Sequence, residues 1–138
     1  IEAKKDLYVI ARTDSGDFDD ALQRVSEYAE LGADAVLVEG LISHDQIPII
    51  RASVPSNVAI VVNLIAGGKT DPIKLSELHN HGVNIVNYST PCLFAAQKAI
   101  NDSLDKLIRN DGMLTLEKGD VTLSENNDFL KKSINKKK

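Results

Sequence analysis

The chain has 138 residues, of which 43% are hydrophobic and 26% charged, values that are ordinary for a globular domain. Its formal net charge of −4 argues against a nucleic-acid partner, because an acidic surface repels phosphate backbones. No apolar run approaches the roughly 20 residues that cross a bilayer, so we expect no membrane partner. The sequence starts at Ile1 and has its only methionine at Met113. We therefore expect a missing natural N-terminus and, unless a targeting segment was lost with it, a cytoplasmic protein.

Four short apolar runs recur about 25 residues apart and predict strands. The first three are nearly continuous in apolar character and rich in β-branched residues, as is typical of parallel strands buried on both faces. They cover residues 7–11, 34–38, 58–62 and 83–86.

Helical patterns separate the strands. In the first, Asp17 is the expected N-cap and Gly32 the expected stop, with an apolar stripe between them. Further helices are predicted over residues 43–54, with Ile47, Ile50 and Val54 facing inward, and over residues 74–80. A fourth starts at Pro91 and ends near residues 110–112. It contains the single cysteine, Cys92, which we expect to be a buried thiol.

Four strand–helix units in succession indicate an α/β fold. We predict that residues 1–110 are half of a (β/α)8 barrel, since a whole barrel needs roughly 250 residues. A doubly wound open sheet is the structural alternative, but no glycine-rich phosphate loop follows the first strand. Residues 111–138 form a C-terminal extension with a predicted helix that is capped by Ser124 and Glu125. We expect that helix to bury Phe129, Leu130 and Ile134.

Polar residues end all four predicted strands, with Tyr88, Ser89 and Thr90 at the end of the fourth. Because active sites of such barrels lie at the carboxyl ends of the strands, Arg12, Glu39 and Asn63 are the candidate catalytic residues. Arg12 can fork two donors onto a substrate carboxylate, or pair with Asp14 or Glu39. Glu39 can pair with Arg12, support the water shell of a metal, or both. Asn63 interrupts an otherwise apolar strand, and a buried amide there needs a partner, which is either the backbone or a ligand.

Gly67 and Gly68 follow the third strand. They allow a substrate to approach the backbone closely, although a simple turn is the alternative. The candidate substrate-binding residues are therefore Arg12, Asn63, Gly67 and Gly68.

The sequence resembles the isocitrate lyase/phosphoenolpyruvate mutase superfamily, in particular methylisocitrate lyases and carboxyphosphonoenolpyruvate phosphonomutases. The resemblance covers roughly residues 1–110 and implies that they are the C-terminal half of the barrel, units five to eight. It rests on four stretches in order, which are ARTD at residues 11–14, VEGL at 38–41, NLIAGGKT at 63–70, and VNIVNY at 83–88 followed by LFAA at 93–96.

The resemblance implies a Mg²⁺-dependent lyase that cleaves a C–C bond of a small 2-hydroxy or 2-oxo carboxylic acid through an enolate. Arg12 matches the arginine that grips the carboxylate, and Glu39 the glutamate that holds the metal through water. Asn63 matches an amide that holds the substrate. It also implies a homotetramer whose last helix is swapped between paired subunits. The direct magnesium ligands and the gating loop belong to the first four βα units, so we expect the isolated chain to be inactive.

Two departures from the family pattern bear on the substrate. Ala66 stands where relatives usually carry a glutamate, and Ser89, Thr90 and Pro91 replace the more common Pro-Leu-Ser. Two other functions stay open. One is a phosphonomutase or phosphonopyruvate hydrolase. The other is a non-catalytic half-barrel that pairs with another chain, such as an N-terminal half-barrel.

Overall fold

The computed structural model of the protein describes residues 6–41 and 43–135. The chain divides into two compact units, with the division between Phe94 and Ala95. The predicted boundary after residue 110 concerns the end of the barrel and stays a prediction. None of the helices in the described ranges is long and apolar enough to cross a membrane.

The first unit is a four-stranded sheet in which every pairing is parallel and the strands follow one another in chain order. This confirms the α/β class. Sequential order is what half of a (β/α)8 barrel requires, whereas doubly wound sheets reverse their order. The strands are β1 (Ile10–Thr13), β2 (Ala35–Val38), β3 (Ala59–Leu64) and β4 (Ile85–Tyr88). The helices of the whole chain are α1 (Phe18–Glu30), α2 (Gln46–Ser53), α3 (Leu75–Asn80), α4 (Pro91–Arg109) and α5 (Leu123–Asn135).

The two faces of the sheet have different neighbours. Alternate side chains of β2 and β3 pack against buried residues of α1, α2 and α3, forming the main core of the unit. The intervening side chains belong to a second cluster built from strand residues alone. The main core includes Val36, Val38, Ile60 and Val62, and the second cluster includes Ala35, Leu37 and Val61. Helices on one face only are the arrangement of a barrel wall.

The ends of α1 form as predicted. The Asp17 carboxylate accepts a hydrogen bond from the backbone N–H of Asp20 at 2.9 Å, which satisfies a donor that the first helical turn leaves open. Gly32 has φ +91°, the left-handed conformation that ends helices. Inside the unit, Ile47, Ile50 and Val54 are buried, which confirms the predicted inner face of α2.

Some boundaries differ from the sequence prediction. β1 begins at Ile10 rather than residue 7, and both Leu7 and Tyr8 are exposed. α2 begins at Gln46, later than the predicted residue 43, and the side chain of Gln46 accepts from the Ser43 backbone N–H at 3.2 Å. Cys92 is exposed, so the expectation of a buried thiol is wrong.

The second unit contains the greater part of α4, a connecting segment and α5. α5 begins with a capping box in which Glu125 accepts from the Thr122 backbone N–H at 2.8 Å, so the cap is Thr122 rather than Ser124. These hydrogen bonds hold the pKa of the Glu125 carboxyl below its usual value. The prediction that α5 buries its apolar residues is wrong, because Phe129 is 67% exposed and Leu130 and Ile134 are exposed as well.

Candidate functional site

A row of polar side chains crosses the helix-free face of the sheet at the carboxyl ends of the strands. Asn63 pairs in register with Asn87, and Leu37 pairs with Val61. Continuing that register by two residues places Glu39 beside Asn63, on the face that carries Leu37 and Val61. Arg12 is in register with Leu37 and so shares this face.

An ion-pair network joins the first two strands. The Arg12 guanidinium donates from Nε to Asp14 Oδ2 at 2.9 Å and from Nη2 to Asp14 Oδ1 at 2.5 Å. Its Nη1 lies 3.4 Å from Glu39 Oε2. The side chain of Glu39 is 20% exposed and that of Arg12 is 49% exposed. The sequence offered Asp14 or Glu39 as the ion-pair partner of Arg12, and in the structure Arg12 pairs with both.

The fork of Arg12 onto Asp14 shifts the ionisation of both groups. The hydrogen bond from Arg12 lowers the pKa of the Asp14 carboxyl, and the hydrogen bond to Asp14 raises the pKa of the Arg12 guanidinium. Asp14 therefore stays ionised to a lower pH than an isolated aspartate, and Arg12 stays protonated to a higher pH than an isolated arginine.

The amide of Asn63 connects this network to β4. Its Nδ2 donates to Glu39 at 3.1 Å from Oε1 and 3.3 Å from Oε2. Its Oδ1 accepts from Asn87 Nδ2 at 3.2 Å and from Ser89 Oγ at 2.5 Å. The half-buried Asn63 is thus satisfied by side chains rather than by the backbone.

A cleft of about 270 Å³ opens beside Glu39 and Asn63. Two charged groups of opposite sign, Asp14 and Lys69, contribute to its lining. Thr70 donates to the Leu41 carbonyl at 2.8 Å, which ties the loop after β3 to the end of β2. The remaining lining residues are Gly40, Ile65 and Gly68.

The two glycines after β3 form a tight turn. Gly67 has φ +75°, and the backbone N–H of Gly68 donates to the Ile65 carbonyl at 2.9 Å. A Cβ on Gly68 would lie 2.9 Å from that carbonyl oxygen, so the turn itself requires glycine. Gly68 also lines the cleft, whereas Gly67 does not.

The structure thus brings Arg12, Glu39 and Asn63 into one network, as their places at the strand ends predict. Asn87 and Ser89 complete the network but were not among the predicted site residues. A signal for Asn87 was present, because it interrupts the apolar β4 as Asn63 interrupts β3.

Direct binding of a metal by this chain does not fit its donor set. Among the described residues there is no group of three or more His, Cys, Asp and Glu side chains that could hold an ion. The Glu39 carboxylate already faces the Arg12 cation and the Asn63 N–H donors. Mg²⁺ prefers a nearly octahedral set of oxygens, and one carboxylate supplies only a small part of it.

Comparison with known families gives a match over most of the chain. A family profile described as phosphoenolpyruvate phosphomutase matches residues 1–108. The chain belongs to this family. Its sequence resemblance to the isocitrate lyase/phosphoenolpyruvate mutase superfamily is thereby confirmed.

Relatives within the phosphomutase family include lyases. The chain is 32% identical to a 2,3-dimethylmalate lyase of Eubacterium barkeri over 128 residues, which is 91% of this chain and 44% of the lyase. It is 33% identical to a 2-methylisocitrate lyase of Bacillus subtilis over 101 residues, covering 71% of this chain and 33% of that enzyme. A crystal structure of 2,3-dimethylmalate lyase superposes with a TM-score of 0.81 at 26% identity, covering 94% of this chain and 45% of that one. The chain therefore spans less than half the length of these relatives.

Proposed function

We propose that this chain is part of a carbon–carbon lyase that cleaves a small 2-hydroxy or 2-oxo carboxylic acid. The observation that carries the proposal is the network of Arg12, Glu39 and Asn63, in which Glu39 and Asn63 line the cleft and Arg12 pairs with Glu39. A substrate carboxylate needs a planar cation with two parallel donors, and Arg12 is such a group. Similarity to the dimethylmalate and methylisocitrate lyases supports the same reaction class.

Arg12 would bind the substrate carboxylate in place of the carboxylate of Asp14. Its present fork is on Asp14, whose side chain is 64% exposed. Exposed ion pairs contribute little stability, so a substrate carboxylate can replace Asp14 at small cost. Glu39 stays beneath the guanidinium and limits the directions in which it can turn.

The bond cleavage would follow a retro-aldol or retro-Claisen course. In a 2-hydroxy acid a base takes the hydroxyl proton and the C–O bond becomes a carbonyl as the C–C bond breaks. The electron pair of that bond passes to the carboxylate of the other fragment, whose oxygen gains negative charge before its carbon is protonated. In a 2-oxo acid, addition of water to the ketone first supplies the hydroxyl. Donors fixed in advance beside that oxygen lower the barrier, and Arg12 and Asn63 are the donors that this chain supplies. We propose Mg²⁺ as the cofactor, held by ligands from outside this chain with water-mediated support from Glu39. Its chemistry there is to add positive charge beside the same oxygen.

The family resemblance, which assigns the direct metal ligands to the first four βα units, supports a partner for the half-barrel. We propose that an N-terminal half-barrel completes the ring and that the assembled protein forms a homo-oligomer, a tetramer with swapped last helices by family resemblance. β1 and β4 are the edges of the described sheet, and unpaired strand edges favour association with further strands. The isolated chain is then expected to be inactive, and the protein cytoplasmic.

A phosphonomutase or phosphonopyruvate hydrolase is the second candidate. The description of the matching family as a phosphomutase favours it. Ala66, at the exposed turn after β3, also makes the rim less acidic than the family pattern and leaves more room for an anionic phosphonate.

Turnover by the full-length protein that contains this chain tests the proposal. We expect cleavage of 2,3-dimethylmalate, 2-methylisocitrate or oxaloacetate in the presence of Mg²⁺. Replacement Arg12→Gln should lower kcat/KM by about 100-fold, because a charged hydrogen-bond pair contributes roughly 1.5–3 kcal/mol. The matched control is Arg24→Gln, which removes an arginine paired with Asp20 on α1. It should leave kcat/KM within about twofold.

Two results would contradict the lyase, and a third would contradict the role of Arg12. Activity on phosphonopyruvate alone would favour the second candidate. No turnover of any of these acids would favour a non-catalytic half-barrel that acts by pairing. Equal losses for Arg12→Gln and Arg24→Gln would remove Arg12 from the binding site.

A further inference from the structure

Asn87 and Ser89 form a closed hydrogen-bonded ring with the carbonyl oxygen of Asn63. Asn87 Nδ2 donates to Asn63 Oδ1 at 3.2 Å and to Ser89 Oγ at 3.1 Å. Ser89 Oγ in turn donates to Asn63 Oδ1 at 2.5 Å. Both donors of the Asn87 amide are thereby used, and both are directed inside the ring.

The ring gives the Asn63 amide one direction. Its Oδ1 meets two donors, and its Nδ2 meets the two carboxylate oxygens of Glu39. A reversed amide would set its oxygen against the Glu39 carboxylate and its N–H groups against the Asn87 N–H groups. Both contacts would be repulsive, so the orientation of the amide follows from its neighbours.

Strand pairing does not need these side chains. The backbones of β3 and β4 are already in register from Val61 with Ile85 to Leu64 with Tyr88. Asn87 and Ser89 are also exposed, where a hydrogen bond contributes little to folding. Their effect on Asn63 is therefore the more specific consequence of the ring.

We propose that Asn87 and Ser89 are positioning residues that restrict Asn63 to the role of hydrogen-bond donor. The N–H groups of Asn63, which already donate to Glu39, then suit only an acceptor on a ligand, which means an anionic oxygen such as a carboxylate or enolate oxygen. A hydroxyl or amide donor on the ligand finds the Asn63 oxygen already occupied. The assignment of a ligand rests on the proposed function, whereas the orientation of the amide does not.

Nuclear magnetic resonance of the full chain labelled with ¹⁵N-asparagine tests the orientation. The measured quantity is the exchange rate of the Asn63 side-chain NH₂ with water. Ser89→Ala removes one donor to Oδ1, and Asn87→Asp replaces the other with an acceptor. Both should accelerate exchange by about five- to tenfold, the factor that loss of one neutral hydrogen bond corresponds to. Ser89→Thr keeps the hydroxyl and should restore the original rate.

Matched controls make the same chemical changes outside the ring. Ser103→Ala removes a hydroxyl that donates to the Ala99 carbonyl on α4, and Asn101→Asp adds a negative charge on the same helix. Both should leave Asn63 unchanged. Equal exchange rates in Ser89→Ala, Asn87→Asp and the unmodified chain would overturn the proposal, as would a failure of Ser89→Thr to restore the rate.

Binding of oxalate separates this proposal from the proposed function. If oxalate shifts the Asn63 signals, Asn87→Asp should weaken its binding by at least fivefold, because the reversed amide presents an oxygen to the anion. Equal oxalate affinity in the variant would overturn the donor role. If oxalate does not bind the unmodified chain while the two variants still alter exchange, the carboxylate function fails and the positioning role stands.

Discussion

At the scale of single residues, the site is organised by alternation along the strands. Each strand directs apolar side chains such as Leu37 and Val61 to the helix-free face and then places a polar group on that face at its carboxyl end. The polar groups of neighbouring strands meet because parallel strands end at the same edge. The series of side-chain contacts from Asp14 to Arg12, Glu39 and Asn63 follows from this register.

The charge state of Asp14 reports on Arg12. Since Arg12 holds the pKa of Asp14 below its usual value, Arg12→Gln should raise that pKa back toward an ordinary aspartate. A depressed carboxyl pKa stabilises the fold above the ordinary pKa, and the effect is lost as pH falls through the folded pKa. In the Arg12→Gln variant, the free energy of unfolding should therefore no longer fall at low pH through the protonation of Asp14.

A ¹³C titration of the aspartate carboxyls measures this shift. Arg24→Gln is the control, because Arg24 is one of the groups that lower the pKa of Asp20 and lies on α1. It should move Asp20 and leave Asp14 unchanged. A pKa of Asp14 that stays low in Arg12→Gln would show that Arg12 is not its partner in solution.

At the scale of elements, glycines with positive φ follow α1 and α3. The side chain of Arg51 contacts the second of these glycines, Gly82. Gly32 and Gly82 follow α1 and α3 with φ of +91° and +86°. Arg51 on α2 passes beside Gly82 and donates to the carbonyls of Val54, Pro55 and Val58. This arginine thereby links α2, the loop after it and the start of β3.

Replacing Gly32 or Gly82 with alanine distinguishes the energetic cost of backbone strain from that of steric contact. Gly32→Ala meets nothing within 4 Å and should cost about 1–2 kcal/mol of the free energy of unfolding, from the left-handed conformation alone. Gly82→Ala adds a Cβ 2.9 Å from Arg51 Cγ and Cδ, so it should also displace the Arg51 hydrogen bonds. Each neutral-acceptor bond lost adds about 1 kcal/mol.

Urea unfolding of the two variants side by side gives the comparison. The expected order is unmodified chain, then Gly32→Ala, then Gly82→Ala, with the last variant the least stable. Equal free energies for the two variants would mean that Arg51 moves aside without loss of its hydrogen bonds.

At the scale of the whole molecule, the burial of apolar side chains differs between the two units. The first unit contains all the buried hydrophobic side chains found in the described residues, whereas the second presents its apolar side chains to solvent. Exposed apolar patches of this extent are typical of surfaces that another molecule covers. Those of α4 and α5 in the second unit are Ile100, Leu104, Ile108, Leu123, Phe129, Leu130 and Ile134.

The chain is expected to associate in solution through this surface. Sedimentation velocity should show species heavier than the 15.0 kDa monomer, increasing with concentration. The double replacement Leu104→Gln and Ile108→Gln should reduce association without lowering stability, since both side chains are exposed. Asp105→Gln on the same helix is the polar control and should not reduce association. A monomer at every concentration would count against an incomplete barrel.

Local patterns in the sequence were sufficient for several features. β-branched runs predicted four parallel strands, Asp17 and Gly32 predicted the ends of α1, and polar residues at the strand ends predicted the meeting of Arg12, Glu39 and Asn63. These features depend on neighbours along the chain and on the fixed direction of parallel strands, so periodicity and capping chemistry suffice for them.

Only the tertiary structure decided the partners and the burial. Arg12 pairs with both acids at once, and Asn87 and Ser89 direct the amide of Asn63, because side chains 24 to 27 residues apart come together only through strand register. Phe129 lies on an apolar stripe of α5 and is nevertheless exposed. An apolar stripe specifies which face of a helix is able to be buried, but burial also needs a second surface, and helical periodicity carries no information about that surface.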